Sequence, residues 1–218
     1  MSGQGDPNAD QPVPARRSWA DVGPRLASAA VLIALTATAL VVGSYLFAAV
    51  VGAVYALAYR EWETMVTRAP LTPRGMVLIG LVALSGLLYP LVGLWGPTGA
   101  IVLACGLTFT MEREHMVWRI VGLVLFGALI TSLMAMRGTG TAGIWAGLYL
   151  GTVVWMTDSA AFFAGRQIGG EKLAPDISPS KTWSGALGGL ALGTGAGLLV
   201  WLWLTESPFW IGILLSAT

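Results

Sequence analysis

The sequence predicts an all-α, polytopic membrane helix bundle of about seven to eight transmembrane segments. Three observations carry this. Of 218 residues, 56% are apolar and only 11% charged, against roughly 25% charged in an ordinary soluble domain. The mean hydropathy is +0.73. Uncharged blocks of helix length recur along the chain, separated by short charged or glycine-containing breaks. Twelve Lys and Arg against eleven Asp and Glu leave a net charge of +1, so no basic field exists to hold nucleic acid by its phosphates. Cys105, alone in an apolar run, can neither close an internal disulfide nor build a zinc cluster.

Residues 1–24 hold Pro7, Pro12, Pro14 and Pro24 without an apolar period, which predicts a flexible tail ahead of a membrane-integral helical domain over 25–218. The apolar stretch after Arg25 is too long for the h-region of a signal peptide. From Leu26 to Tyr59 no charge appears. One helix of that length would run roughly 50 Å, well beyond a hydrocarbon core of about 30 Å. Two spans joined near Gly43-Ser44-Tyr45 fit better, the second ending at Arg60-Glu61-Trp62-Glu63. Further blocks fall at 75–95, 97–111, 116–136, 142–164, 183–204 and 208–218. They are separated by Gly96-Pro97, Glu112-Arg113-Glu114, Arg137-Gly138-Thr139, a polar loop over 165–182, and Thr205-Glu206-Ser207-Pro208. The last block is too short to cross, which is expected of an interfacial helix or of a span that continues past residue 218.

With eight alternating segments, one side of the membrane receives Arg16, Arg17, Arg25, Arg60, Arg68, Arg74, Arg113, Arg119, Arg166, Lys172 and Lys181; the other receives Arg137 alone. Joining 26–59 into one span degrades this 11-to-1 split to 8-to-4. The positive-inside bias therefore supports two helices there and puts the N-terminus and the 165–182 loop in the cytoplasm.

Asp158 lies inside the sixth block, roughly 9 Å below its charged end at 1.5 Å per residue. A carboxylate at that depth is costly and faces a wet cavity, a cation or a metal, or else is a structural Asp paired with Arg166 or Ser159. The loop that follows brings Arg166, Lys172 and Lys181 together with hydroxyls and glycines, a group suited to a polyphosphate or, more plainly, an ordinary positive-inside loop. Pro179 cannot sit inside a helix, so Ser180 is the expected N-cap of the seventh, with Lys181-Thr182-Trp183 as its first turn. The amides of that turn, with Lys181 and the Ser178 and Thr182 hydroxyls, would form an anion site.

Other features take plainer readings. Gly185, Gly189, Gly193 and Gly197 recur every four residues and read as helix packing. Gly138-Thr139-Gly140-Thr141-Ala142-Gly143 has G-x-G-x-x-G spacing but follows no strand, and reads as a turn. His115, Glu61 and Glu63 read as solvated helix-end groups, and most of the ten tryptophans as an aromatic belt.

Asp158-Ser159-Ala160-Ala161-Phe162-Phe163-Ala164-Gly165-Arg166, then Gly169, Lys172-Leu173, Pro175 and Ser178-Pro179-Ser180-Lys181-Thr182-Trp183 with Gly185, resembles the first half of the conserved region of phosphatidate cytidylyltransferases, or CDP-diacylglycerol synthases. The likeness covers about 30 residues; upstream it extends only to hydropathy. It implies transfer of a cytidylyl group from CTP to phosphatidic acid at the face of a lipid bilayer, giving CDP-diacylglycerol and pyrophosphate with Mg²⁺. It implies the bacterial inner membrane as location, and a homodimer is an assembly it allows. Asp158 would bind the metal; Lys172, Lys181, Ser178 and Thr182 would meet the nucleotide phosphates or lipid head group, and Arg166 would add to them. Two departures stand out. Ser184 takes the place of the usual Glu or Gln, and the K-R-x-x-K-D and P-G-H-G-G-x-x-D-R stretches of the family's second half are absent, so the 218 residues alone are expected to be inactive or nearly so. Two other classes compete: a transporter or channel whose Asp158 lines an ion path, which would not need the lysine-bearing loop, and a CTP-dependent lipid or polyprenol kinase.

Overall fold

The computed structural model describes residues 22–218, and the expected tail falls almost wholly outside them. Eight helices form: α1 (Val22–Val42), α2 (Ser44–Thr67), α3 (Pro73–Val92), α4 (Trp95–Thr108), α5 (Met116–Arg137), α6 (Thr141–Gln167), α7 (Trp183–Leu204) and α8 (Phe209–Ala217), with one hairpin of β1 (Lys172–Ala174) and β2 (Ser178–Thr182) between α6 and α7. The chain divides into two compact units, 1–35 and 36–218, and everything below concerns the second.

The architecture is an all-α bundle turned apolar side out. Val102, Val117, Leu199 and Trp203 are among many large apolar side chains left exposed, while the interior holds a smaller apolar core of Tyr59, Leu78, Val82, Leu123 and Ile130 with close-packed alanines and a charged pair. The segments Pro73–Val92, Arg113–Arg137 and Trp183–Leu204 are long and apolar enough to cross a membrane, and Ala27–Val42 and Trp95–Thr108 are shorter apolar helices. Such a surface is stable only where hydrocarbon covers it.

The break between the first two helices falls at the expected glycine. Gly43 adopts φ +68°, and a Cβ there would collide with the Arg137 guanidinium. Arg137 is buried and donates from Nε to the Leu40 carbonyl (2.6 Å), from Nη2 to Val41 (3.3 Å), and from Nη1 to Gly138 (3.1 Å) and Gly140 (3.3 Å). Leu40 and Val41 end α1, Gly138 caps α5 and Gly140 precedes α6, so one side chain ties the end of α1 to the turn between α5 and α6. The first half of the G-x-G-x-x-G stretch is accordingly a turn, Gly138 (φ +46°) capping α5 and Gly140 preceding α6, while Thr141, Ala142 and Gly143 already form the first turn of α6.

Two boundaries differ from expectation. α2 does not stop at Arg60-Glu61-Trp62-Glu63 but continues to Thr67, because Glu63 is buried rather than solvated. The α3–α4 break lies at Gly93, not at Gly96-Pro97; Pro97 sits in the first turn of α4, where a missing N–H costs nothing. Close approach holds the rest together. Gly52 faces the Ala83 carbonyl and Gly86 faces that of Ala48, so α2 and α3 cross on backbone contacts of the small-residue kind.

Candidate functional site

α6 and α7 make the most extensive contact in the bundle, and it places the candidate residues. Gly185, Gly189, Gly193 and Gly197 are all buried, opposite Ala161, Thr157 and Val153 of α6. A Cβ on Gly185 would stand 2.9 Å from the Ala161 carbonyl, one on Gly189 2.9 Å from that of Thr157, and one on Gly193 would coincide with the Thr157 hydroxyl. The four-residue repeat is therefore packing, as its spacing predicts, and the two helices stay closely packed over about three turns, against backbone at Gly185 and Gly189 and against side chains at Gly193 and Gly197.

The segment 165–182 is a hairpin rather than an open loop. Gly169 (φ +65°) and Gly170 (φ +101°) turn the chain out of α6 through a conformation that side chains with a Cβ resist. Lys172 then pairs opposite Thr182, and Ala174 opposite Ser178, with one irregularity between. The expected N-cap is corrected accordingly. Ser180 lies within β2, and Thr182 caps α7, its hydroxyl accepting from the Gly185 N–H at 3.2 Å. The Trp183 N–H donates to the Glu171 carbonyl (3.1 Å), so two amides of the first turn are already engaged. Ser184 was read only as a departure from the family pattern, yet it is a working part of this corner: its hydroxyl donates to the Gly169 carbonyl and lies 3.1 Å from that of Thr182.

The hairpin brings Lys172, Lys181 and Thr182 to one end of the ladder, beside the end of α6. Opposite residues of an antiparallel pair have Cα atoms about 4.5–5.5 Å apart, and Lys181 is the chain neighbour of Thr182. Both lysines are exposed, Thr182 is buried, and Ser178 is half-buried at the far end of the ladder. The Thr182 hydroxyl rests against Gly165 of α6, where a Cβ would meet it at 2.9 Å. Arg166 stands in the last turn of α6 with its guanidinium 5.7 Å from the Phe162 ring centre.

Asp158 lies seven residues before Gly165 on α6, about 10 Å along the axis. At 100° per residue it is some 60° round from Ala161, so it flanks the α7 contact instead of entering it. It is exposed, and it makes no ion pair or hydrogen bond with another described residue, Arg166 and Ser159 included. The lysine end of the hairpin is thus assembled at the end of the α6–α7 zip, with the carboxylate two turns deeper on the flank of the same seam. Among the described residues no three His, Cys, Asp or Glu side chains converge as a metal cage, so His115 has no ligand cluster around it. A cation held by one carboxylate, water and substrate phosphates, the usual habit of Mg²⁺, remains compatible with Asp158.

Sequence reasoning missed a second polar centre. Arg119 Nε of α5 donates to Glu63 Oε1 of α2 at 2.9 Å, with both side chains almost wholly buried at 3% and 2% exposure. Trp62 Nε1 donates to the Trp118 carbonyl at 2.9 Å beside it. The available signal was Arg119, a charge inside the apolar block 116–136, which hydrocarbon tolerates only when it is joined to an opposite charge.

The profile of the cytidylyltransferase family matches residues 24–218, nearly the whole chain. The chain belongs to that family. Proteins named phosphatidate cytidylyltransferase are similar to it. That of Brucella suis biovar 1 is 38% identical over 160 residues, covering 73% of this chain and 58% of the relative. That of Pseudomonas aeruginosa is 31% identical over 186 residues, covering 77% and 66%. That of Haemophilus influenzae is 50% identical over 48 residues, covering 22% and 17%. The chain therefore spans less than two thirds of the length of the Brucella relatives it matches. No solved structure matches it significantly.

Proposed function

We propose that this chain carries the nucleotide-facing site of a phosphatidate cytidylyltransferase, acting on CTP and phosphatidic acid at the cytoplasmic face of the bacterial inner membrane. The observation that carries the reading is the hairpin that sets Lys172 opposite Thr182 and beside Lys181 at the end of α6, on the seam that Asp158 flanks. Family membership and the printed names of the relatives support the substrate pair. The 11-to-1 division of cations supports the cytoplasmic placement of the hairpin.

In the reaction a phosphatidate oxygen bonds to the α-phosphorus of CTP, and the bond from that phosphorus to the bridging oxygen of the β-phosphate breaks. CDP-diacylglycerol forms and pyrophosphate leaves. Lys172 and Lys181 offset the charge that gathers on the phosphate oxygens, with Arg166 and the half-buried Ser178 as further donors. The Thr182 hydroxyl, engaged as the helix cap, acts by fixing the lysine end of the hairpin. Asp158 is the residue that would hold Mg²⁺, which when bound supplies Lewis acidity toward the phosphates.

The test is binding of CTP by the reconstituted chain, with and without Mg²⁺ and phosphatidic acid, and, for any transfer that the chain supports, whether the label comes from the α- or the γ-phosphate. Label from the α-position in a lipid product supports the reading. Label from the γ-position assigns a lipid kinase instead, and sodium or proton flux without either product assigns a transporter.

A further inference from the structure

The corner where the hairpin meets α7 carries more hydrogen bonds than a helix cap requires. The Gly185 N–H donates to the Thr182 hydroxyl at 3.2 Å, the Thr182 and Ser184 hydroxyls stand 3.1 Å apart, and the Ser184 hydroxyl donates to the Gly169 carbonyl. Each hydroxyl has a single proton. A carbonyl only accepts, so the Ser184 proton is committed to Gly169, and the proton between the two hydroxyls is that of Thr182. The direction of every bond is thereby fixed: Gly185 to Thr182, Thr182 to Ser184, Ser184 to Gly169. Bonds running in one sense polarise and strengthen one another. In this arrangement neither hydroxyl keeps a proton for a phosphate.

The relay joins positions far apart along the chain. Gly169 lies two residues past the end of α6, turned by φ +65°, whereas Thr182 caps α7 and Ser184 is in its first turn. The segment between them is closed at its base by three ties: Ser184 to Gly169, the Trp183 N–H to the Glu171 carbonyl at 3.1 Å, and the pairing of Lys172 with Thr182. Lys172 is one of the tied residues and Lys181 adjoins another. The far end, around the Ala174–Ile177 turn, is left open, with Ile177 89% exposed. Ser184 and Gly169 are only half-buried, so water can take over their bond when it is lost, and the effect falls on the hairpin and not on the bundle.

We propose that Ser184 is a positioning residue for the lysine pair that would meet the nucleotide phosphates. By accepting the Thr182 proton and giving its own to Gly169, it locks the base of the hairpin and holds Lys172 and Lys181 side by side at the end of α6, without touching substrate. The inference rests on the function proposed above and adds the residue that places its cations.

Lys172 and Lys181 are the only lysines in the chain, so reductive methylation with carbon-13 formaldehyde puts one side-chain NMR probe on each ammonium of the full chain in detergent micelles. Hydrogen exchange over residues 170–183, read by mass spectrometry, follows the backbone of the same corner. Ser184→Ala is expected to raise that exchange about fivefold or more, the effect of one lost hydrogen bond, and to move both lysine signals toward that of free dimethyl-lysine, with the melting temperature unchanged. Ser184→Thr keeps the hydroxyl and is expected to return both readouts to those of the parent. With CTP added to the same samples, the affinity of Ser184→Ala should fall about fivefold or more and that of Ser184→Thr should not. Unchanged exchange and lysine signals in Ser184→Ala overturn the assignment, as does a loss that Ser184→Thr fails to rescue. A loss of CTP affinity without either change also overturns it, because the hydroxyl would then contact the nucleotide directly. If the parent chain binds no CTP, the function proposed above falls, while exchange and the lysine signals still decide whether Ser184 positions the pair.

Discussion

The Glu63–Arg119 pair bridges α2 and α5 at 2.9 Å with both groups sealed from solvent, and it makes a quantitative prediction. Removing one partner leaves a charge with neither water nor counter-ion, which costs about 3–5 kcal/mol in buried pairs. Glu63→Gln and Arg119→Met should each lower the unfolding free energy by that amount, a factor between about 10² and 10³ or more in the equilibrium constant. Glu63→Met combined with Arg119→Met removes both charges and keeps the volume, and should return to within about 1 kcal/mol of the parent or exceed it, because desolvation of the pair largely cancels its attraction. The assay is reversible unfolding in mixed micelles titrated with dodecyl sulfate, followed by far-ultraviolet circular dichroism. Near-ultraviolet dichroism serves as the local reporter, since Trp62 is bonded to the Trp118 carbonyl next to the pair. Single-variant losses below about 1 kcal/mol, or additivity of the two changes, would mean that water reaches the pair, and the reasoning would fail.

Arg137→Met removes the hydrogen bonds to the carbonyls of Leu40, Val41, Gly138 and Gly140 and should cost about 1–3 kcal/mol in the same unfolding assay. Gly193→Val drives a side chain into Thr157 and should separate α6 from α7, losing about 1–3 kcal/mol and exposing the zip to cysteine crosslinking at new sites. Gly43→Ala meets both a left-handed φ and the Arg137 guanidinium, and should destabilise more than Gly99→Ala, where the space is open; thermal melts of the two variants compare them directly. Lys181→Ala should raise the CTP concentration needed for half-maximal binding or turnover about tenfold or more, the worth of one charged hydrogen bond, while leaving the melting temperature within error because the side chain is exposed.

Much of the bundle was legible because hydrocarbon imposes long uncharged runs. Met116 begins its helix where the patterning put it, and Gly43 breaks the first pair where a single span would have been too long. What failed to show was whatever depends on contacts distant in sequence. Glu63 reads as a solvated helix end until α5 brings Arg119 against it, 56 residues away. The hairpin was hidden because β1 is three residues long and β2 contains Pro179, so neither run carries an alternating signature; pairing across the turn makes them strands. The same pairing explains the misplaced cap. Ser180 and Thr182 are both competent N-cap residues. Once Ser178 and Thr182 are committed to the ladder, the helix can begin only at Trp183, and the hydroxyl that meets the Gly185 N–H is that of Thr182.

The placement of the candidate residues follows from how α6 and α7 are joined. Interfaces built on long side chains can slide by rotamer changes, but one built on glycine against backbone has no such slack. The Gly185 Cβ position lies 2.9 Å from the Ala161 carbonyl, and the Thr182 hydroxyl touches Gly165. The hairpin's lysine end is consequently tied to α6 through its own cap residue, and Ser184 closes the opposite side of the corner on Gly169. Three successive residues after Lys181 therefore set its distance from the α6 flank where Asp158 stands. The four-residue glycine repeat fixes the relation between the Asp158 carboxylate on the flank of α6 and the ammonium groups of the hairpin. A substitution in the middle of the zip, such as Gly189→Val, should accordingly weaken CTP binding even though Gly189 lies a full helical turn beyond Gly185, and restoring volume on the facing side by Ala161→Gly should recover part of that loss.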